Sequence, residues 1–433
     1  MSKLDELIAE LCPNGVEYKS LGEIATIARG GNFQKKDFCD RGVPCIHYGQ
    51  IYTKYGLFTD KTITFITEER AKKQKFAKTN DIIMAVTSEN IEDVCKCLAW
   101  LGNEDVAVSG HSAIISHNQN PKYLVYYFHS QMFFTQKRKL AHGTKVIEVT
   151  PDTLKSIKLP VPPLEVQREI VHILDSFTLL TAELTAELTA RKKQYEFYRD
   201  NLIKKEQHIS EVKKLADVAN IYDSLHQTPS YSNSGYSMVR VQDIKGGYLD
   251  EDKTLKVDES VWNLFTQKYT PRLNDIVVSR VGSYGNFALI PNDKCCLGQN
   301  VALIHPNINP KYLYHVLMST MTKQWINNNV KGASQKSFSL ADIKRVPVPV
   351  PKENIQQRIA EVLDNFEAIC TDLNIGLPAE IEARQKQYEY YRDLLLTFAE
   401  TGSTLMTDRQ TDRQTDRQTD RQTDRRTDRA ECN

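Results

Sequence analysis

The sequence predicts an α+β protein: two homologous α/β-type domains joined by two long antiparallel helices, a coiled-coil spacer, with pseudo-twofold character. Three observations predict it. The chain repeats itself once, in order, over most of its length. Short apolar runs broken by Gly, Asn and Asp fill the first part of each repeat, which is a strand pattern. A long stripe of apolar residues at helical spacing closes each repeat.

The repeat is legible by eye. LGEIA at 21–25 answers LADVA at 215–219, and NDI stands at both 80–82 and 274–276. NPKYL recurs at 120–124 and 309–313, and IKLPVPP (157–163) answers IKRVPVPVP (343–351). QREIVHILDSF (167–177) matches QQRIAEVLDNF (356–366), and ARKKQYEFYRDNL (190–202) matches ARQKQYEYYRDLL (383–395). The offset stays between 186 and 194 residues. That period is far too long for a solenoid, so each half is a whole domain plus a connector. The connectors agree closely, whereas TSENIEDVCKCLAWL (87–101) and SRVGSYGNFALIP (279–291) hardly agree at all. A shared frame carries two separately varied inserts.

The expected organisation is a first domain over 1–155, a central helical spacer over 156–210, a second domain over 211–342, a C-terminal helical spacer over 343–400 and a tail over 401–433. DIIMAV (81–86), VAVSGHSAIIS (106–116), DIVVS (275–279) and NVALIHP (300–306) read as strands. Segments 122–140 and 311–327 read as helices packed beside them. Pro162 and Pro163 lead into a helix whose seam runs Ile170, Leu174, Phe177, Leu180, Leu184, Leu188, Tyr195, Tyr198 and Leu202. The second seam runs Ile359, Leu363, Phe366, Ile369, Leu373, Ile381, Tyr388, Tyr391 and Leu395, with a break expected at Gly376, Leu377 and Pro378. Each connector spans roughly 35–40 residues, about 50–60 Å as continuous helix. Two such stripes in one chain are expected to pair as a rod with a domain at each end.

Composition narrows the function. With 40% hydrophobic and 26% charged residues the chain is ordinary globular protein. It contains no run of 18 apolar residues, and its first residues lack an apolar signal core, so no membrane contact and a cytoplasmic location are expected. Nine cysteines include Cys95 and Cys97, and Cys295 and Cys296; neither spacing suits zinc, and these read as small buried residues. A net charge of +1 excludes binding of nucleic acid by bulk charge, so any such surface is local. Basic clusters lie at Arg70, Lys72, Lys73, Lys75 and Lys78, and at Lys137, Arg138, Lys139 and Lys145. No phosphate-binding loop, adenine-methyltransferase tetrapeptide, dinucleotide glycine motif, convincing nuclease motif or H-E-x-x-H zinc motif is present. The ARGG at 28–31 and GSYG at 282–285 read as turns or as backbone approaching a ligand. A binding protein with no catalytic residue, no metal and no cofactor of its own is expected rather than an enzyme.

The residues resemble one family, the type I restriction–modification specificity subunit, over 1–400. LGEIA, TSENIEDVCK, KRKLAHGTKV, NDIVVSRVGSYGNFALIP, LPVPPLEVQREIVHILD, TAELTAELTARKKQYEFYRD and LPAEIEARQKQYEYYRD carry the resemblance. It implies that each half holds a target recognition domain, that the two together read a bipartite site in double-stranded DNA, and that the helices dock two methyltransferase subunits and two restriction (motor) subunits. S-adenosylmethionine, ATP and Mg2+ would then belong to those partners. Base readout needs side chains that donate and accept at base edges. In the first half the candidates are Arg29, Lys35, Lys36, Tyr48, Gln50, Ser88, Asn90, His111, Lys137, Arg138 and Lys145. In the second half they are Arg240, Gln242, Arg280, Ser283, Tyr284, Gln299, Lys331, Ser334, Gln335 and Lys336.

Two short repeats remain. TAELTAEL (181–188) adds helix in four-residue units of about 6 Å, against a rise of about 3.4 Å per base pair, so one unit more or less should change the recognised gap by one to two base pairs. Residues 407–430 are four copies of TDRQ followed by TDRR and TDRA, a pattern with nothing to bury. TDRQ can be encoded by three copies of the tetranucleotide ACAG, and every frame of such a tract gives the same peptide. A slippage-prone gene is therefore expected, with length variation among colonies as its sign.

Overall fold

A computed structural model describes residues 2–245, 247–249, 251–330, 337–372 and 376–401. Lys331, Ser334, Gln335 and Lys336 lie outside the described residues, as does the TDRQ tail. The chain divides into two compact units, Met1–Ala182 with Glu382–Asn433, and Glu183–Ile381.

In the first unit the central sheet has the order β1 (Ala25–Arg29), β6 (Ser112–His117), β3 (Ile82–Ala85), β4 (Cys97–Trp100) and the short strand Phe58–Thr59. A second sheet contains β2 (Val43–Ile46) beside β5 (Val106–Val108), and these two run parallel with Cys45 opposite Ala107 and Ile46 opposite Val108. The second unit repeats the plan. Its central sheet orders β7 (Ala219–Asp223), β12 (Val301–Pro306), β9 (Ile276–Ser279) and β10 (Phe287–Leu289). Its other sheet pairs β8 (Tyr236–Val239) in parallel with β11 (Cys295–Leu297), Met238 opposite Cys296 and Val239 opposite Leu297.

The recurring NDI marks the turn into each central strand. Asn80 and Asn274 sit at φ +73° and +67°, a left-handed conformation that Asn tolerates. Asp81 then accepts from the Lys78 amide and Asp275 from the Arg272 amide, both at 2.8 Å.

The expected helices 122–140 and 311–327 are each two helices: α1 (Pro121–Phe128) and α2 (Gln131–Leu140), then α4 (Pro310–Met318) and α5 (Thr320–Asn329). A serine makes each break. The Ser130 hydroxyl caps α2 through the Phe133 amide and Ser319 caps α5 through the Thr322 amide, both at 3.3 Å. Asn120 and Asn309 cap α1 and α4, with Pro121 and Pro310 at the first helical position.

The central connector is one helix, α3 (Leu164–Ile209), of 46 residues and about 69 Å, longer than the pattern suggested because LIKKEQHI continues it. The second connector is α6 (Glu353–Thr371) and α7 (Leu377–Thr401). In the first unit Phe177 of α3 stacks on Tyr391 of α7 at 5.3 Å between centroids. In the second unit Tyr198 of α3 packs on Phe366 of α6 at 5.5 Å. The aromatic YEYYRD of one repeat thus completes the core that the other repeat's domain begins. Tyr388, Leu395, Leu396 and Phe398 are buried in the first core, and Tyr195 and Ile203 in the second.

The most faithful repeats fasten domain to helix. Gln167 accepts from the Asn120 amide (2.9 Å) and donates to the Pro162 carbonyl (2.8 Å). Gln356 does the same with Asn309 (3.1 Å) and Pro351 (2.8 Å). Lys122 pairs with Asp175 at 2.6 Å, and Lys311 with Asp364 at 2.5 Å. Tyr123 and Tyr312 each donate to a proline carbonyl, Pro160 and Pro349, at 3.0 Å. No described helix is long and apolar enough to cross a membrane.

Candidate nucleic-acid interface

In both domains some of the candidate residues lie together at one place, the carboxyl ends of the parallel strand pair. In the first domain β2 leads into His47, Tyr48 and Gln50, and β5 leads into Ser109, Gly110 and His111. The Tyr48 amide donates to Ser109 Oγ at 2.8 Å, and the Tyr48 ring lies 4.9 Å from His111 and 4.6 Å from His47. His111 Nδ1 meets Thr87 Oγ1 at 3.1 Å, beside Ser88. Arg29 reaches the same turn, donating to the Gly110 carbonyl at 2.8 Å and to Glu148 at 3.0 Å. The ARGG glycines serve this approach: a Cβ on Gly30 would sit 2.2 Å from the Ser109 carbonyl oxygen. Gly30 thus admits backbone to backbone, while a Cβ on Gly31 would meet the Gln74 side chain. His111 and Lys35 are exposed, and Tyr48 is half-buried. Burial, with the Lys35 and His111 charges nearby, pushes the His47 imidazole down to about 4, so it is neutral and accepts from the Gly49 amide at 3.2 Å.

In the second domain β8 leads into Arg240, Val241 and Gln242, and β11 into Gly298, Gln299 and Asn300. These loops open a cavity of about 510 Å³ lined by Arg240, Gln242, Ser283 and Gln299 together with Asn286 and Asn300. Arg240 is braced by Asp243, to which Nε and Nη2 each donate at 2.9 Å, and the Gln242 amide, its oxygen turned to the guanidinium, accepts at 2.9 Å. Gln242, Ser283 and Gln299 are exposed; Tyr284 is half-buried and packs against the apolar core.

Four expected readers are engaged elsewhere. Lys137 is buried and its ammonium donates to the carbonyls of Glu92 (2.9 Å) and Val94 (2.6 Å), where burial lowers its pKa. Gln50 is buried, accepting from the His47 amide at 2.9 Å and donating to Thr64 at 3.1 Å. Arg280 pairs with Asp223 and stands where the first domain has the buried Val86: the Arg280 amide donates to Asn300 and the Val86 amide to His111, each at 2.9 Å. Asn90 closes a local turn with Asp93, donating at 2.9 Å and accepting at 2.7 Å. Of these four, Lys137 and Gln50 are buried in bonds to their own fold, whereas Arg280 and Asn90 keep further N–H groups beyond the bonds named. Lys36, Arg138 and Lys145 are exposed.

Asn286 and Asn300 were missed. The ladder places Asn300 where the first domain has His111, and superposing the two repeats on their strands rather than on their loop letters would have found it.

The family profile of the type I restriction modification DNA specificity domain matches residues 13–191 and again 209–383. The chain therefore belongs to the type I restriction–modification DNA specificity family, a class of DNA-specificity proteins. It is 36% identical over 258 residues to the Escherichia coli type I restriction enzyme EcoR124I/EcoR124II specificity subunit, covering 56% of this chain and 63% of that one, so it spans under two thirds of that relative's length. It is 29% identical over 313 residues to a putative type I restriction enzyme specificity subunit of Haemophilus influenzae, covering 69% of this chain and 77% of that one. Among solved structures, one described as the structural basis underlying complex assembly and conformational transition of the type I R-M system shares the fold (TM-score 0.56, 15% identity, 89% of this chain and 98% of that chain).

Proposed function

We propose that this chain selects a bipartite site in double-stranded DNA, one half-site per domain, for a type I restriction–modification complex. One observation carries the reading: the same strand-end position recurs in both domains with different side chains. The first presents Lys35, Tyr48 and His111, and the second Gln242, Gln299, Asn286 and Asn300. A common scaffold with two chemistries is what two independent half-sites require. Amide side chains donate to and accept from adenine in the major groove, so the second domain reads a half-site containing an A·T pair.

The chain docks two methyltransferase subunits, which use S-adenosylmethionine, and two restriction subunits, which use ATP and Mg2+. Phe197 and Tyr390 support the docking: they occupy equivalent places in the two repeats and are 64% and 62% exposed. Large apolar side chains left in water at matched positions suit a partner that binds twice.

Methylome sequencing with and without the gene tests the reading. Expected is the loss of N6-methyladenine from one asymmetric, interrupted motif. In cells carrying Gln242→Ala with Gln299→Ala, one half of that motif relaxes and the other stays, since each good bidentate contact supplies about 1–3 kcal/mol of discrimination. A continuous palindrome, or an unchanged methylome without the gene, refutes it.

A further inference from the structure

Where α4 meets α6, the second domain differs from the first in a chemically pointed way. In the first domain Tyr126 donates to Asp175 at 2.6 Å and lies 3.4 Å from Thr178. The repeat puts His315, Asp364 and Glu367 at these three positions. His315 is fully buried, and its Nε2 lies 2.8 Å from Asp364 Oδ1. The three side chains each offer a ligand atom, all within 4.8 Å of one another, and among the described residues no other such group of three exists.

We propose that His315, Asp364 and Glu367 bind a divalent transition-metal ion that fastens the second domain to its helices. An imidazole nitrogen with two carboxylate oxygens is a donor set for Zn2+, Mn2+ or Fe2+. Each ligand is also held from behind, as ligands in built sites are. His315 Nδ1 meets the Tyr195 hydroxyl at 3.1 Å, which leaves Nε2 for the ion. Asp364 Oδ2 accepts from Lys311 at 2.5 Å, which leaves Oδ1. Glu367 Oε1 accepts from the Tyr314 hydroxyl at 3.0 Å. In the absence of metal, the hydrogen bond between His315 and Asp364 fills the same place. The ion would join α4 to α6 directly and to α3 through Tyr195.

The test is built into the repeat. The full chain, stripped with chelator, is titrated with Co2+ and then Zn2+. Expected is one Co2+ per chain with visible ligand-field bands, displaced by one Zn2+. His315→Tyr with Glu367→Thr installs the residues around which the first domain already folds, so the circular dichroism spectrum stays the same while the bound ion is lost. Glu367→Gln, a smaller change, should weaken binding at least tenfold and shift the cobalt bands. No retained Co2+ in the unaltered chain overturns the proposal, as does undiminished binding in the double variant, which would place the ion elsewhere.

Discussion

Replacing Gln167 by alanine tests whether the domain-to-helix clamp is as strong as its repetition suggests. The side chain is fully buried and makes three hydrogen bonds: from the Asn120 amide (2.9 Å), to the Pro162 carbonyl (2.8 Å) and to Gln119 (2.8 Å). Alanine removes all three and leaves a backbone donor and a backbone acceptor without these partners. Each orphaned buried group costs about 1–3 kcal/mol, so the loss should be about 3–5 kcal/mol once the vacated volume is included. For a unit of this size that is roughly 6–20 °C in melting temperature. The assay is urea and thermal unfolding followed by circular dichroism. Gln356→Ala is an internal replicate, because it keeps the same contacts to Asn309 and Pro351. Gln385→Ala is the control: its bond to Glu389 is on the surface and should be worth under about 0.5 kcal/mol. If Gln167→Ala and Gln356→Ala both cost under about 1 kcal/mol, the clamp is not what holds helix and domain together.

Three further outcomes are expected. Lys137→Ala should destabilise the first domain by about 2–4 kcal/mol in the same unfolding assay and leave the second half-site untouched, because its ammonium is bound to two backbone carbonyls; a stable variant with altered DNA preference would return it to the readers. Inserting one TAEL after Leu188 should lengthen α3 by about 6 Å and the methylated motif's gap by one to two base pairs, and an unchanged gap would refute the ruler. The folded state holds the His47 imidazole down at about 4, below the unfolded value of about 6.5, so its contribution is complete above pH 6.5 and is lost as pH falls from 6.5 toward 4, about 3 kcal/mol in all; His47→Gln should flatten that part of the stability–pH curve.

The duplication, both central strands and the helical seams were written in residue spacing, because burial imposes periods of 2 and 3.6 that apolar side chains record directly. Serine breaks were harder: Ser130 and Ser319 look like ordinary helix residues until the hydroxyl is seen capping the next turn. The candidate site was legible as residue type but not as position. Lys137 and Gln50 carry the right chemistry for reading DNA but are buried in bonds to their own fold, which no local pattern distinguishes from a free donor.

By itself the sequence determined that this protein is two copies of one frame with two different inserts, tied by apolar helices and carrying no catalytic motif. Only the tertiary structure decided which polar side chains remain available. It brought the loops after two parallel strands together, so that Gln242 and Gln299, some sixty residues apart, line one cavity with Asn300. It also paired the aromatic motif of each repeat with the domain of the other, as Phe177 with Tyr391 and Tyr198 with Phe366 show. The physical reason is the same in both cases. Periodicity reports which face of an element is buried, whereas a hydrogen bond depends on atoms brought within about 3 Å from distant parts of the chain.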